Sequence, residues 1–329
     1  MQTTAREITY AQAIAEATDQ AMQLDPSVFV VGQGTRDRGC VFGTMAGLYE
    51  KYGSERVVEM PLSEPSIAGM CIGAAIAGMR PVFVLQRADF VFLTMDQLVN
   101  HASKWHFMFG GHAKVPLTVR LIVGKGWGQG PQHSQNPHAM FGHFPGFRVV
   151  LPTTPEDAKG LLLNSIFSDD PVIFIESRPL HGLRGPVNPQ PYTVPFGRAC
   201  VRREGSDLTI VAVSFLVPEA LAAAEKLAQR GISVEVVDVV SVSPLDEETI
   251  VRSAKKTGRV LIADCGWAPF GLSSEISALV SERLFGKLRT APARITFPFA
   301  PSPTAASLES EYYPNAEKIA ERASRLLTA

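Results

Sequence analysis

The stretch Val57-Val58-Glu59-Met60-Pro61-Leu62-Ser63-Glu64 is a short apolar strand running into the start of a helix. The fifteen residues after it, 65–79 (Pro-Ser-Ile-Ala-Gly-Met-Cys-Ile-Gly-Ala-Ala-Ile-Ala-Gly-Met), carry no charge. Ser63 stands where an N-cap belongs, so a helix is predicted over 65–78, and with no charged face it is expected to be buried. Glu64 is then a lone carboxylate at the first turn. The helix dipole favours its anion and apolar walls disfavour it, a balance suited to proton transfer. The plainer reading is a capping acid.

Working outward, Thr9 and Gln12 form a capping box for a helix through about Gln23, followed by a strand at 28–31 that ends at Gly32. Further strands are predicted at 82–85, 117–123, 148–151 and 172–175, with helices at 65–78, 92–109 and 155–167 between them. Short apolar runs alternating with helices predict a doubly wound parallel sheet. Residues 178–195 hold five prolines and two glycines with little periodicity and read as a linker. Beyond it the alternation restarts, with strands at 208–213, 234–237, 260–263 and 293–296 and helices at 217–230, 246–255 and 272–284. The fold class is therefore α/β with two doubly wound domains, at 1–180 and 199–329, joined by a linker at 181–198. There is no internal repeat.

At 329 residues two domains are expected. The 31 basic and 32 acidic residues nearly cancel, so neither nucleic acid nor a polyelectrolyte partner is implied. Cys40, Cys71, Cys200 and Cys265 are widely spaced and form no metal or disulfide pattern, which suits a reducing cytoplasm. The N-terminal residues have no apolar signal core, and the apolar run 67–79 is too short to span a bilayer.

His133, His138 and His143 cluster in a polar, glycine-rich region. Their spacing of five does not stack them on one helix face and no acidic or cysteine ligand is near in sequence, so no metal is expected there. The run Gly124-Lys125-Gly126-Trp127-Gly128-Gln129-Gly130 lacks the order of a phosphate loop and leads to His133, not to a helix, so it is not read as a nucleotide site.

The ordered set Pro61-Leu62-Ser63-Glu64, Gln86-Arg87-Ala88-Asp89-Phe90, Asp96-Gln97-Leu98-Val99-Asn100 and His133-Ser134-Gln135 resembles the β subunit of thiamine-diphosphate-dependent 2-oxo acid dehydrogenases. These are the decarboxylating first components of the pyruvate, branched-chain and acetoin complexes, and the likeness covers nearly the whole chain. It implies a transketolase-like pyrimidine-binding domain followed by a transketolase C-terminal domain. It implies that Glu64 hydrogen-bonds N1′ of the aminopyrimidine, so that the 4′-nitrogen can remove the thiazolium C2 proton, in a dry pocket where such a bond is strong. Leu62, Ile67 and Phe90 are candidate walls. Phe90 is implied to pack on the pyrimidine, and Gln86 to border the cofactor. His133 is implied to assist acyl transfer to the acceptor, with Gln135 beside the substrate.

The chain departs from that pattern in places. Members commonly carry Gly-Glu-Asp after the first strand, where this chain has Gly32-Gln33-Gly34, so the acidic relay between paired sites is put in doubt. Arg87 stands where members place an aromatic, and a guanidinium there favours an anionic substrate or pairs with Asp89 or Asp96. The 124–130 loop has a sparser glycine pattern than members usually show. No Gly-Asp-Gly motif, which holds the Mg²⁺ and diphosphate, occurs anywhere. The resemblance therefore implies an α subunit that supplies the Mg²⁺ site, in an α₂β₂ heterotetramer. In some relatives a structural K⁺ lies beneath loops at 113–117 and 165–170, held by backbone carbonyls that leave no sequence signature.

The reading that follows is an enzyme subunit for oxidative decarboxylation of a 2-oxo acid, pyruvate-like, with acyl transfer to the lipoyl group of a transacylase. The alternative keeps the cofactor for ketol or acyl transfer, a carboligation in a biosynthetic pathway. A non-catalytic scaffold subunit is the third reading, opposed by intact Glu64, Phe90 and His133.

Overall fold

The computed structural model describes residues 6–37 and 39–328. They group into two compact units. One comprises the residues up to Lys125 together with Phe141–Phe196, and the other Gly126–Met140 together with the residues from Gly197 onward.

In the first unit β1 (Arg6–Thr9) leads straight into α1 (Tyr10–Leu24). The predicted capping box is present. The Thr9 hydroxyl accepts from the Gln12 amide at 3.2 Å, and the Gln12 side chain accepts from the Thr9 amide at 2.8 Å. Tyr10, Ala13, Ile14, Ala17 and Ala21 form its buried stripe. There follow β2 (Val28–Gly32), α2 (Leu48–Tyr52), β3 (Val57–Glu59), α3 (Glu64–Ile76), β4 (Arg80–Leu85), α4 (Ser103–Met108) and β5 (Thr118–Val123). After the crossing into the other unit come α5 (His138–His143), β6 (Arg148–Val150), α6 (Pro155–Ile166), β7 (Val172–Ser177) and β8 (Arg184–Val187).

The strands run parallel in the order β6-β7-β5-β4-β2-β3. Every residue of β2, β5 and β7 is buried, as a sheet covered on both faces requires. Gly32 pairs with both Glu59 and Val84, and a Cβ on it would come within 2.8 Å of the Val84 carbonyl. Only glycine lets β2 and β4 close up here. The carboxyl ends of β2, β3 and β4 consequently open on one edge, where open α/β sheets bind ligands.

Two features of the first unit differ from the sequence reading. The proline-rich 181–198 stretch, expected to be a linker, is for most of its length a strap on the first unit. β8 pairs antiparallel with β1, the buried Lys159 ammonium donates to the carbonyls of Asn188 (2.7 Å) and Gln190 (3.1 Å), and Asn164 donates to Val194 at 2.9 Å. Proline removes donors but leaves acceptors, so side chains tie the strap down without any periodic pattern. The helix expected over 92–109 is a 3₁₀ turn (Ala88–Thr94), a π-helical turn (Asp96–Ala102) and then α4. The hydroxyls of Thr94 and Ser103 bond the carbonyls of Val91 and Val99, a back-bonding that bends helices.

The second unit holds β9 (Cys200–Arg203), β10 (Leu208–Ala212), α7 (Leu216–Ala228), β11 (Val234–Asp238), β12 (Ser241–Ser243), α8 (Glu247–Thr257), β13 (Val260–Trp267), α9 (Leu272–Arg283), β14 (Ala293–Phe297), α10 (Ala306–Tyr312) and α11 (Ala316–Leu327). Its sheet has the order β14-β13-β10-β11-β9, with β9 antiparallel at the edge. The Gly126–Met140 loop, which the sequence reading assigns to the first domain, packs with this unit. Among the described residues no helix is long and apolar enough to cross a membrane.

Candidate active site

Glu64 opens α3 at the carboxyl edge of the first sheet and is only 6% exposed. Ser63 holds the N-cap position, but its side chain makes no capping bond; its carbonyl instead accepts from the Ile67 amide at 3.1 Å. Ala68, Cys71, Ile72 and Ala75 form a buried stripe, and burial pushes the Cys71 thiol up to about 12, which leaves it inert as a nucleophile. The helix is not buried all round. Gly69, Met70, Gly73 and Ile76 lie on an open face, contrary to the expectation from its lack of charge. Of the expected walls, Ile67 and Phe90 are half-buried, and Leu62 is 82% exposed.

The neighbouring loop explains two departures together. Gln86 follows β4 and its side-chain amide donates to the Gln33 carbonyl. Gly34 has φ +67°, and a Cβ on it would collide with the Gln86 Nε2. A side chain at position 34 would displace the end of Gln86, and the positive φ favours glycine there. The acidic group at this edge is Glu59, which sequence reasoning passed over. Its carboxylate accepts from the amides of Gly34 (2.7 Å) and Thr35 (2.8 Å) and from the Thr35 hydroxyl (2.8 Å). Burial opposes its charge, but hydrogen bonds from Gly34, Thr35 and Arg36 outweigh that and hold the carboxyl below its usual range. Glu59 anchors the loop as a fixed anion.

Arg87 donates to the Gln86 carbonyl at 3.0 Å and lies over the Phe42 ring, 5.2 Å from its centre. Asp89 beside it is buried. At the loops expected to cover a cation, the Val115 amide donates to Asp169 at 3.1 Å, and Arg80 donates to the carbonyls of Ile166 (3.2 Å) and Ser168 (3.0 Å). At these two carbonyls a guanidinium supplies the positive charge.

His133 and Gln135 belong to the second unit, both half-buried in the Gly126–Met140 loop. The His133 Nδ1 meets the Gln132 carbonyl. In the glycine-rich run ahead of it, the Gly126 amide donates to the Glu309 carboxylate at 3.1 Å. His138 anchors the loop's far end. Its Nε2 lies 2.9 Å from Asp264, both side chains are buried, and the second Asp264 oxygen accepts from the Ser273 amide at 2.8 Å. Asn136 donates to the Cys265 sulfur at 2.9 Å. The fold therefore does bring an acid and a cysteine to His138, across 126 positions of chain, where sequence proximity showed none. Here they pin the loop that carries His133. Asp264 and Cys265 lie within β13, and their pairing with His138 was not legible in the sequence.

The sequence matches the transketolase pyrimidine-binding domain over residues 6–182 and the transketolase C-terminal domain over residues 197–319. It is 41% identical to the acetoin:2,6-dichlorophenolindophenol oxidoreductase subunit beta of Cupriavidus necator, over 98% of each chain. The chain belongs to the transketolase-like family of dehydrogenase β subunits. Within that family it is also 39% identical to the 2-oxoisovalerate dehydrogenase subunit beta of Bacillus subtilis, covering 95% of this chain and 96% of that one. A split-gene transketolase solved as an inactive β4 tetramer superposes with a TM-score of 0.79 at 22% identity, covering 98% of each chain, a likeness of fold. The family depends on thiamine diphosphate. The residues of the first unit fit the cofactor's aminopyrimidine end, with a buried carboxyl at a helix start and an aromatic, Phe90, on the same edge.

Proposed function

We propose that this chain is the β subunit of a two-subunit, cytoplasmic 2-oxo acid dehydrogenase that passes an acyl group to a lipoyl acceptor. The observation that carries the reading is the buried Glu64 at the start of α3, in a chain that has no Gly-Asp-Gly motif. Such a chain would supply the pyrimidine half of a cofactor site, and an α subunit the other half. Thiamine diphosphate, when bound, supplies the carbanion that adds to the 2-oxo group and accepts the electron pair released with CO₂. Glu64 would hold the proton at the pyrimidine N1′, its apolar setting keeping that hydrogen bond strong. Phe90 and Gln86 would orient the pyrimidine, and His133 would move the proton as the acyl group leaves. Arg87 and Gln135 would face the substrate. Mg²⁺ and the diphosphate would be held by the α subunit of an α₂β₂ heterotetramer.

The open face of α3 supports such a partner. A Cβ on Gly73 would meet nothing within 4 Å, and one on Gly69 only the edge of Gln97. Glycine in a helix interior costs about 1 kcal/mol relative to alanine, so its use where this chain itself leaves room fits close approach by another backbone. Met70, Ile76, Leu93, Phe107 and Met108 are exposed apolar side chains on or near these helices.

The test is to purify the chain with its α partner and screen 2-oxo acids with an artificial electron acceptor. Turnover dependent on thiamine diphosphate and Mg²⁺ is expected, and none with any 2-oxo acid would refute the proposal. In the same assay His133→Ala is expected to slow acyl transfer to lipoamide by roughly a hundredfold, in the range for a positioned proton-transfer group. Reduction of the artificial acceptor should fall much less, and equal losses in both half-reactions would contradict the role given to His133. One observation favours a second reading, carboligation onto an anionic acceptor: the cationic Arg87 in place of the family's aromatic.

A further inference from the structure

We infer that the second unit holds a Zn²⁺ site built from His138, Asp264 and Cys265, with Asn136 as the fourth donor. It goes beyond the functional reading above and does not rest on it. One ligand atom from each of His138, Asp264 and Cys265 lies within 4.8 Å of the other two, and all three residues are buried. Imidazole, carboxylate and thiolate are the donors that Zn²⁺ takes in tetrahedral sites, whereas Mg²⁺, which serves diphosphates, takes oxygen. The expectation that no metal binds near His138 rested on sequence neighbours, and β13 supplies the missing acid and cysteine from a distant part of the chain.

The backbone of β13 is shaped for this convergence. In a regular strand consecutive side chains point to opposite faces, so Asp264 and Cys265 would not share one ion. Here the register with β14 shifts: Ala263 pairs with Ile295 but Trp267 with Phe297, so β13 carries extra residues between the two pairs. An irregularity of that kind re-aims side chains, and it falls on Asp264, Cys265 and Gly266. Gly266 also makes room, because a Cβ there would come within 3.0 Å of the His138 Cε1 and crowd the imidazole.

The groups around the ligands hold them in place. One Asp264 oxygen is 2.9 Å from the His138 Nε2, and the other accepts at 2.8 Å from the amide of Ser273 in the first turn of α9. Burial opposes the Asp264 charge, but His138 and hydrogen bonds from Ser273 outweigh it and hold the carboxyl below its usual range. The carboxylate is thus already an anion. Asn136 donates to the Cys265 sulfur at 2.9 Å, and its side-chain oxygen makes no hydrogen bond, so a half-turn of the amide offers that oxygen to the ion. As the Zn–S bond forms the thiol proton leaves to solvent, and His138 ligates as the neutral ring. Carboxylate and thiolate then cancel the two charges of Zn²⁺, so the buried site carries no uncompensated charge. The ion ties the end of the Gly126–Met140 loop to β13.

The test is elemental analysis of the purified chain, followed by titration with Zn²⁺ after a chelator has stripped it of metal. One Zn²⁺ per chain is expected, with a Kd of about 1 µM or tighter. Cys265→Ala and Asp264→Asn should each weaken binding more than about a hundredfold, the most that loss of a merely supporting group would cost. Cys265→Ala exchanges one small buried side chain for another and should fold, which thermal unfolding without metal checks. Co²⁺ in place of Zn²⁺ gives a second readout: a sulfur-to-metal charge-transfer band in the wild type and in Cys200→Ala, and none in Cys265→Ala. No saturable Zn²⁺ binding by the wild type, or equal binding by wild type and Cys265→Ala, would overturn the site and mark any zinc found as adventitious. Neither readout requires thiamine diphosphate or an α subunit, so its failure would leave the functional proposal standing, and failure of that proposal would leave the zinc result intact.

Discussion

Glu64→Ala, purified as the assembled heteromer, is expected to turn over more than about a hundredfold more slowly than wild type, with Glu64→Gln close behind. Either change removes the one carboxyl at the start of α3 while leaving the features that fix the helix: Pro65 in its first turn, the Ile67 amide on the Ser63 carbonyl, and the buried stripe of Ala68, Cys71, Ile72 and Ala75. Glutamine keeps the shape and loses the exchangeable acidic proton, so its defect isolates proton transfer from packing. Steady-state rates together with the mass of the heteromer are the measurement. Near-normal activity of an assembled Glu64→Ala heteromer would remove Glu64 from the chemistry.

Gly73→Leu should have the opposite character, keeping the chain's stability and losing its assembly. Nothing in the chain lies within 4 Å of a Cβ at Gly73, and replacing a helix-interior glycine removes a penalty of up to about 1 kcal/mol. The thermal midpoint of the isolated chain should therefore stay level or rise by a few degrees. If a second backbone approaches α3 there, the leucine side chain has no room and the α subunit should not bind. Size-exclusion chromatography with light scattering reads the outcome. Normal assembly of Gly73→Leu would show that this face of α3 is not the contact.

The elements that sequence periodicity defines are those whose burial is settled within this chain. The α1 capping box and the fully buried runs of β2, β5 and β7 are of this kind. The lack of charge in α3 was legible, but its meaning was not: an apolar helix face signals contact without saying whether the contact is in the same chain. The strap at 181–198 was missed because prolines erase periodicity while side chains such as Lys159 do the fastening. β1 and β8 form only as a pair, one from each end of the unit, so neither carries a local signal. The amphipathic α11 was readable and was passed over: Asn315 caps it, accepting from the Lys318 amide at 3.0 Å, and Ile319, Ala320, Ala323 and Leu326 form its inner stripe.

The site divides along the same line. Glu64, Gln86, Phe90 and His133 came from ordered motifs. Phe42 and Asp264 meet their partners through the fold, and the separation of 126 positions between His138 and Asp264 shows why no sequence window contains both. The contact between Gly34 and the Gln86 side chain is visible only once β2 and β4 are side by side.

Calorimetric titration of the purified chain with thiamine diphosphate and Mg²⁺, alone and then with the α subunit, tests the two-subunit account most directly. Diphosphate affinity comes largely from a bound metal and charge-assisted hydrogen bonds, and this chain lacks the motif that would hold the metal. The account predicts negligible binding by the chain alone and tight, Mg²⁺-dependent binding by the pair. Micromolar or tighter binding by the chain without a partner would contradict it.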